Sequence, residues 1–289
     1  MRLHFIGVGK MGLPMALHLR AGSAGLSVSD RDPVRLALAA DQGLTVAADT
    51  ALALQQADAV FSSLPHDAAL LTVAEQVAAH AKPGTFWVDT STVSPTASAT
   101  AAHMCAAAGI EHVRTTVSGN NKMAEAAQLT VLASGPRNTY DQVLPLLRCW
   151  GPNQFYLGEA EQARLMKLVI NLMIAQTSAM LGEALTLGRK GGLDWHDMWR
   201  VMGASAVASP IVKAKSAQLS ERDFSATFTV NQMVKDLDLI LGAASEHQVP
   251  LPQTALTRQL MDAARAHGDA EADYAAIIKA VERSAGLST

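Results

Sequence analysis

Gly7-Val8-Gly9-Lys10-Met11-Gly12 follows a short apolar run, Leu3-His4-Phe5-Ile6, and leads into Leu13-Pro14-Met15-Ala16-Leu17-His18-Leu19. The order is strand, glycine turn, helix. Each glycine has a physical reason to be there. Gly7 permits the tight turn, Gly9 keeps side chains away from the backbone N–H groups, and Gly12 lets the helix lie close on the strand. A helix N-terminus reached this way favours a phosphate group. Asp30 stands about 20 residues on, at the end of the next apolar run, Leu26-Ser27-Val28-Ser29, where an acid can accept hydrogen bonds from a ribose. The context predicts a dinucleotide site formed by Gly7, Val8, Gly9, Lys10, Met11 and Gly12.

Asp30 repels a 2′-phosphate and so favours NAD. Arg31, next to it, could grip such a phosphate, so NADP stays possible. Asp30-Arg31-Asp32-Pro33 is also a good turn sequence.

The rest of the first half repeats the alternation. Strands are expected at 3–6, 26–29, 59–63, 86–89, 111–113 and 129–133, with helices between them such as 33–42 after Asp32-Pro33 and 95–108 after Ser94-Pro95. This is the pattern of an α/β protein, a Rossmann-type doubly wound, mostly parallel sheet over residues 1–160. The pattern then changes. Residues 161–190 read as one helix of about 45 Å, long enough to link two domains. Asp194 and Ser209-Pro210 start further helices, so 161–289 reads as a long interdomain helix and an all-α domain.

The bulk composition excludes several classes. The 289 residues are 49% apolar and 17% charged, with a net charge of −3. This is a globular chain without the basic excess that nucleic acid requires. The apolar stretch Leu168–Gly182 runs for 15 residues without a charge, short of a membrane span, and reads as a buried helix. Cys105 and Cys149 form no metal spacing and are expected to be buried thiols, so no metal site is expected. With a strand starting almost at Met1 and no secretory pattern before it, a cytoplasmic location is expected.

Other residues could carry chemistry. Leu64-Pro65 and Asp89-Thr90-Ser91-Thr92 follow strands, at the sheet edge where open parallel sheets bind ligands. Thr116-Val117-Ser118-Gly119-Asn120-Asn121 reads as a polar turn able to hold a carboxylate. Lys167 opens the uncharged run and shares a helix face with Asn171. Burial and the positive charge of Arg164 three residues earlier would both favour its neutral form, which suits proton exchange with an alcohol. A lysine that snorkels to solvent fits the periodicity as well. Lys235-Asp236 reads as a solvated charge pair or a second site element.

Together these motifs resemble the β-hydroxyacid dehydrogenase family, which includes 3-hydroxyisobutyrate dehydrogenase and tartronate semialdehyde reductase. The resemblance rests on the glycine turn, Leu64-Pro65, Asp89-Thr90-Ser91-Thr92, Val117-Ser118-Gly119, Lys167 with Asn171, Lys235-Asp236-Leu237 and the stretch Pro250…Gly268…Asp273. It implies an oxidoreductase that moves a hydride between a nicotinamide cofactor and a small carboxylate-bearing hydroxyacid or semialdehyde. By it, Lys167 is the general acid/base, and Ser118, Gly119, Asn120 and Asn171 hold the substrate. Leu64, Pro65, Thr92 and Lys235 join the cofactor site, and the chain forms a homodimer or homotetramer. Where the family usually has other residues, this chain has Arg114-Thr115-Thr116, Asn120, Glu161-Gln162-Ala163 and Ile170. These departures surround the expected substrate site and leave the substrate open. Arg114 would either meet a second anionic group or lie on the surface. Alternatives on the same scaffold are an imine or aldehyde reductase and a non-catalytic dinucleotide-binding protein.

Overall fold

The computed structural model describes residues 1–21, 23 and 25–288; residue 289, the end of the expected second domain, lies outside the described residues. The chain forms two compact units, Met1–Lys167 and Leu168–Thr289.

The first unit is built on β1 (Arg2–Ile6), β2 (Gly25–Ser29), β3 (Thr45–Val46), β4 (Ala59–Ser62), β5 (Phe86–Asp89), β6 (Glu111–Ser118), β7 (Thr130–Ser134) and β8 (Asn153–Tyr156). They form one sheet in the order β3-β2-β1-β4-β5-β6-β7-β8. Every pairing is parallel except β6 with β7. The order reverses beside β1, and such a switch point opens a crevice at the carboxyl ends of the strands. The helices are α1 (Gly12–Arg20), α2 (Pro33–Asp41), α3 (Thr50–Gln56), α4 (Asp67–His80), α5 (Pro95–Ala107), α6 (Asn121–Glu125) and α7 (Arg137–Leu147). The expected start signals act as such: Asp32 accepts from the Val34 N–H, and Ser94 from the Ala97 N–H.

Alternation along the strands separates two cores. Phe5, Val28, Phe61, Val88 and Val113 pack under α1 and α7, through Met15, Leu19, Val143 and Leu147. Ile6, Val60 and Trp87 face the other way, against Leu70, Val73, Ala101 and Cys105. Trp87 stacks on His112, with centroids 4.4 Å apart.

The doubly wound sheet is as expected, with three differences. β3 has only two residues and β8 no apolar run, so neither has a strand signal. β6 extends beyond residue 113, and Thr116–Ser118 is strand rather than turn, pairing with Thr130–Leu132. Its polar residues can be interior because the Thr115 hydroxyl donates to the Asp89 carbonyl and the Thr116 hydroxyl to that of Ala163. Cys149 is half-buried, not buried. The interior place in its turn is taken by Trp150, whose indole N–H donates to the Met15 carbonyl at 3.0 Å.

α8 (Gln162–Lys190) begins in the first unit and continues into the second, followed by α9 (Trp195–Ala204), α10 (Pro210–Leu219), α11 (Val230–Glu246), α12 (Pro252–Ala266) and α13 (Ile277–Ser284). Among the described residues α8 alone is long and apolar enough to cross a membrane, by length and composition. Here its Leu168, Ala175 and Ala179 pack with Met233, Leu237, Ile240 and Met261 in the core of the second unit. Asp194 caps α9 by accepting from the Asp197 N–H. Buried acids in this unit are paired: Asp273 with Lys215, and Glu282 with Arg189 and Arg222.

His4 is fully buried on β1, its ring nitrogens 2.9 and 3.0 Å from the Ser27 and Ser29 hydroxyls. Burial pushes its pKa down from 6.5 to about 4, only partly offset by its hydrogen bond at Ser27. Burial also holds His112 well below the usual value, helped by Arg114 and Arg164. Below pH 6.5 the unfolded chain takes up protons that the native state refuses, so stability falls as the pH drops from 6.5 towards 4. For His4 alone this amounts to about 2–3 kcal/mol between about pH 7 and about pH 4.5. Urea midpoints at the two pH values should show this loss, and His4→Asn should flatten the dependence. Equal slopes for the two proteins would contradict the assignment.

Candidate active site

The turn after β1 is closed at two glycines and open at the third. Gly7 has φ +90°, and a Cβ there would lie 2.4 Å from the Ser63 carbonyl oxygen. A Cβ on Gly12 would lie 1.9 Å from the Gly7 oxygen. A Cβ on Gly9 would meet nothing within 4 Å. Steric packing therefore explains Gly7 and Gly12, whereas Gly9 faces open space. α1, which starts here, has no side-chain cap and no acid in its first turn. Leu13 donates its N–H to the Gly9 carbonyl and Pro14 has none, which leaves the N–H groups of Met11 and Gly12 for an external acceptor. The residues present fit the pyrophosphate of a dinucleotide on both counts. Of the others in the motif, Val8 is buried, Met11 half-buried and Lys10 exposed.

The Asp30 carboxylate braces this turn. It accepts from the Val8 N–H at 2.8 Å and the Asp32 N–H at 2.9 Å, while Arg31 is exposed. The acid is held at the carboxyl end of β2, beside the glycine turn, with oxygen lone pairs to spare.

Leu64-Pro65 and the 89–92 loop are joined by a buried polar network. Asp89 accepts from the Ser62 hydroxyl at 2.5 Å, the Ser91 hydroxyl at 2.7 Å and the Ser91 N–H at 3.2 Å. The Ser91 hydroxyl in turn accepts from the Leu64 N–H at 2.8 Å. The remaining partner of Asp89 is Arg164 on α8, at 2.5 Å, with both side chains wholly buried. Arg164 was expected to act on Lys167 as a positive charge, but the Asp89 carboxylate compensates that charge. Thr92, at the end of this loop, is half-buried.

Ser118 ends β6, half-buried, and the turn proper begins at Gly119, with φ +141° and a Cβ position 2.7 Å from Leu129 Cδ2. Asn120 is exposed and caps α6, its Oδ1 accepting from the Met123 N–H at 3.0 Å. Arg114 is neither at the surface nor free for an anion. It is buried, and its Nε and a terminal nitrogen each lie 2.7 Å from Glu161 Oε1. Two of the departures noted in the sequence therefore neutralise each other.

Lys167 is half-buried on α8, one turn before buried Asn171. In the second unit the Asn171 amide donates to Asp236 at 2.5 Å, and the other Asp236 oxygen lies 2.8 Å from the Lys235 ammonium. Lys235-Asp236 is thus no solvated pair, because Asp236 is 1% exposed. Three residues here escape sequence reading: Asp89, Arg164 and Asp236 as orienting groups. For Asp236 a signal existed, an acid in an otherwise apolar helix stretch. For Arg164 none did, since its partner lies 75 positions away.

Two family models cover most of the chain. Residues 2–158 match the NAD-binding domain of 6-phosphogluconate dehydrogenase, and residues 162–281 match the NAD-binding region of NADP-dependent 3-hydroxyisobutyrate dehydrogenase. The 2-(hydroxymethyl)glutarate dehydrogenase of Eubacterium barkeri is 33% identical, over 99% of this chain and 97% of its own. An NAD-dependent L-serine dehydrogenase of Pseudomonas aeruginosa is 30% identical over 99% of each chain. Among solved structures, a 3-hydroxyisobutyrate dehydrogenase of Mycobacterium tuberculosis with L-serine has a TM-score of 0.88 at 25% identity, covering 96% of this chain and 98% of its own.

The glycine geometry makes a paired prediction. Gly9→Ala meets no protein atom, so its thermal midpoint should match that of the unmodified protein, while its Kd for NAD rises about tenfold or more. Gly12→Ala drives a methyl into the Gly7 carbonyl and should lose about 2 kcal/mol or more of stability. Calorimetric titration and thermal unfolding check the pair; an unchanged Kd for Gly9→Ala would contradict the reading.

Proposed function

The chain belongs to the β-hydroxyacid dehydrogenase family, and on that premise we propose that it oxidises a small β-hydroxyacid, or reduces the matching semialdehyde, with NAD and with Lys167 as the proton-transfer group. The observation that carries the reading is the open Gly9 in a turn otherwise closed by packing, within the same compact unit as Lys167. A bound nicotinamide supplies the hydride acceptor or donor carbon. The protein supplies orientation and the path of the proton.

Lys167 takes the substrate hydroxyl proton at Nζ in oxidation and returns it to the forming alkoxide in reduction. Ser118 and the Gly119 backbone hold the carboxylate, with the exposed Asn120 side chain at the rim. The Asn171 amide is oriented by Asp236, which takes one of its N–H groups. That leaves the second N–H and the carbonyl for the substrate. Leu64, Pro65 and Thr92 line the cofactor from the tied loops, and Lys235 is assigned to the cofactor by the family resemblance. The braced Asp30 carboxylate supports NAD over NADP, because a fixed negative charge opposes a 2′-phosphate.

A homo-oligomer is part of the proposal. Met166, Val169, Met173, Met180 and Leu187 of α8 are all exposed. Their spacing of three, four, seven and seven places them along one side of the helix. An apolar stripe of this length supports burial against a second copy.

Spectrophotometric assay of 2-(hydroxymethyl)glutarate, 3-hydroxyisobutyrate and L-serine with NAD and with NADP tests the activity. Turnover of at least one acid, faster with NAD, is expected; no turnover with either cofactor would overturn it. Lys167→Ala should lose about 10³-fold or more in kcat while still binding NAD. Near-normal turnover of that variant would remove the lysine from its role. Light scattering should find at least a dimer, and Met173→Glu should shift it towards monomer; a monomeric unmodified protein would contradict the stripe's assignment.

A further inference from the structure

Resting on the reading of Lys167 as the proton-transfer group, we infer that Arg164 is a positioning residue for it, tying the first turn of α8 to the loops that receive the cofactor. Arg164 precedes Lys167 by three residues, less than one helical turn. Its guanidinium is wholly buried and makes four hydrogen bonds: Nε to the Ser98 hydroxyl at 3.1 Å, one terminal nitrogen to the carbonyls of Ser91 at 2.6 Å and Thr115 at 3.3 Å, and the other to Asp89 at 2.5 Å. Those acceptors lie on α5, at the end of β5, on the loop after it and on β6. Through Asp89 and Ser91 the same network reaches Ser62 and the Leu64 N–H.

A buried ion pair is a poor source of net stability, because desolvation cancels much of the attraction. A planar fork whose donors all point at fixed acceptors instead specifies a position. Two further contacts hold the same turn from the other side: the Ser134 hydroxyl accepts from the Ala163 N–H and donates to the Ala160 carbonyl, and Glu161 pairs with Arg114. The backbone that carries Lys167 is thereby fixed against the segments after β4 and β5. Small errors in the placement of a proton-transfer group are costly in rate.

The test uses Arg164→Lys, which keeps the charge but loses the fork, and the double variant Arg164→Gln with Asp89→Asn, which removes both charges together. For each, kcat, the Kd for NAD and the thermal midpoint are measured with the hydroxyacid that the unmodified protein turns over fastest. In the cofactor-free protein, reductive methylation with formaldehyde and borohydride is followed at Lys167, with exposed Lys10 as the internal control. Positioning predicts that kcat falls about 20-fold or more in both variants while the Kd for NAD stays within about threefold. It also predicts that Lys167 is methylated about threefold faster and Lys10 at the same rate. If the double variant recovers the midpoint and kcat together, or if Lys167 methylation is unchanged, Arg164 is structural only and the inference falls. Should the double variant not fold, Arg164→Lys decides by the same readouts. Full turnover by Lys167→Ala would overturn the role of the lysine instead, and the methylation readout would still report on Arg164.

Discussion

The Asp89–Arg164 pair is the constraint on which the first unit's functional edge depends. Asp89 ends a central strand, and its carboxylate collects donors from Ser62, Ser91 and Arg164. A wholly buried carboxylate needs each of these, since an unpaired charge there would cost several kcal/mol. Satisfying it draws the ends of β4 and β5 and the start of α8 together. The glycine turn, Leu64, the 89–92 loop and Lys167 then belong to one compact unit whose geometry is set by backbone and buried side chains, not by surface contacts.

The substituted residues near this edge follow from the same electrostatics. Arg114 introduces a buried cation and Glu161 the acid that neutralises it. Each alone would be a destabilising change; together they anchor the helix start. Asp236 does a comparable job in the second unit, orienting Asn171 on one oxygen and facing Lys235 with the other. The nicotinamide chemistry belongs to the cofactor, and in the proposed mechanism the chain's own contribution is the placement of a lysine and an amide on one helix face.

Most of the architecture was legible from local signals. Apolar runs such as Phe5-Ile6 and Val60-Phe61 are buried on both sheet faces and so read as continuous strands. Proline after Ser94 and Asp32 marked helix starts because it fits only the first turn. β3 and β8 were not legible, since two residues or an alternation of half-exposed ones carry no apolar signal. The polar tail of β6 read as a turn because its hydroxyls find partners only in the folded sheet. The glycine turn and Lys167 with Asn171 were visible through fixed spacing. The groups that orient them were not: Arg164 meets Asp89 across 75 positions and Asn171 meets Asp236 across 65, and helix periodicity holds no information at that range.

The central claim is that Lys167 exchanges a proton with the substrate hydroxyl. A crystal structure of the protein with NAD and a hydroxyacid that it turns over slowly tests this most directly. The account predicts Lys167 Nζ within about 3.2 Å of the hydroxyl oxygen, with the Arg164–Asp89 pair intact behind it. A hydroxyl bonded to another titratable group, with Lys167 turned away from it, would contradict the account.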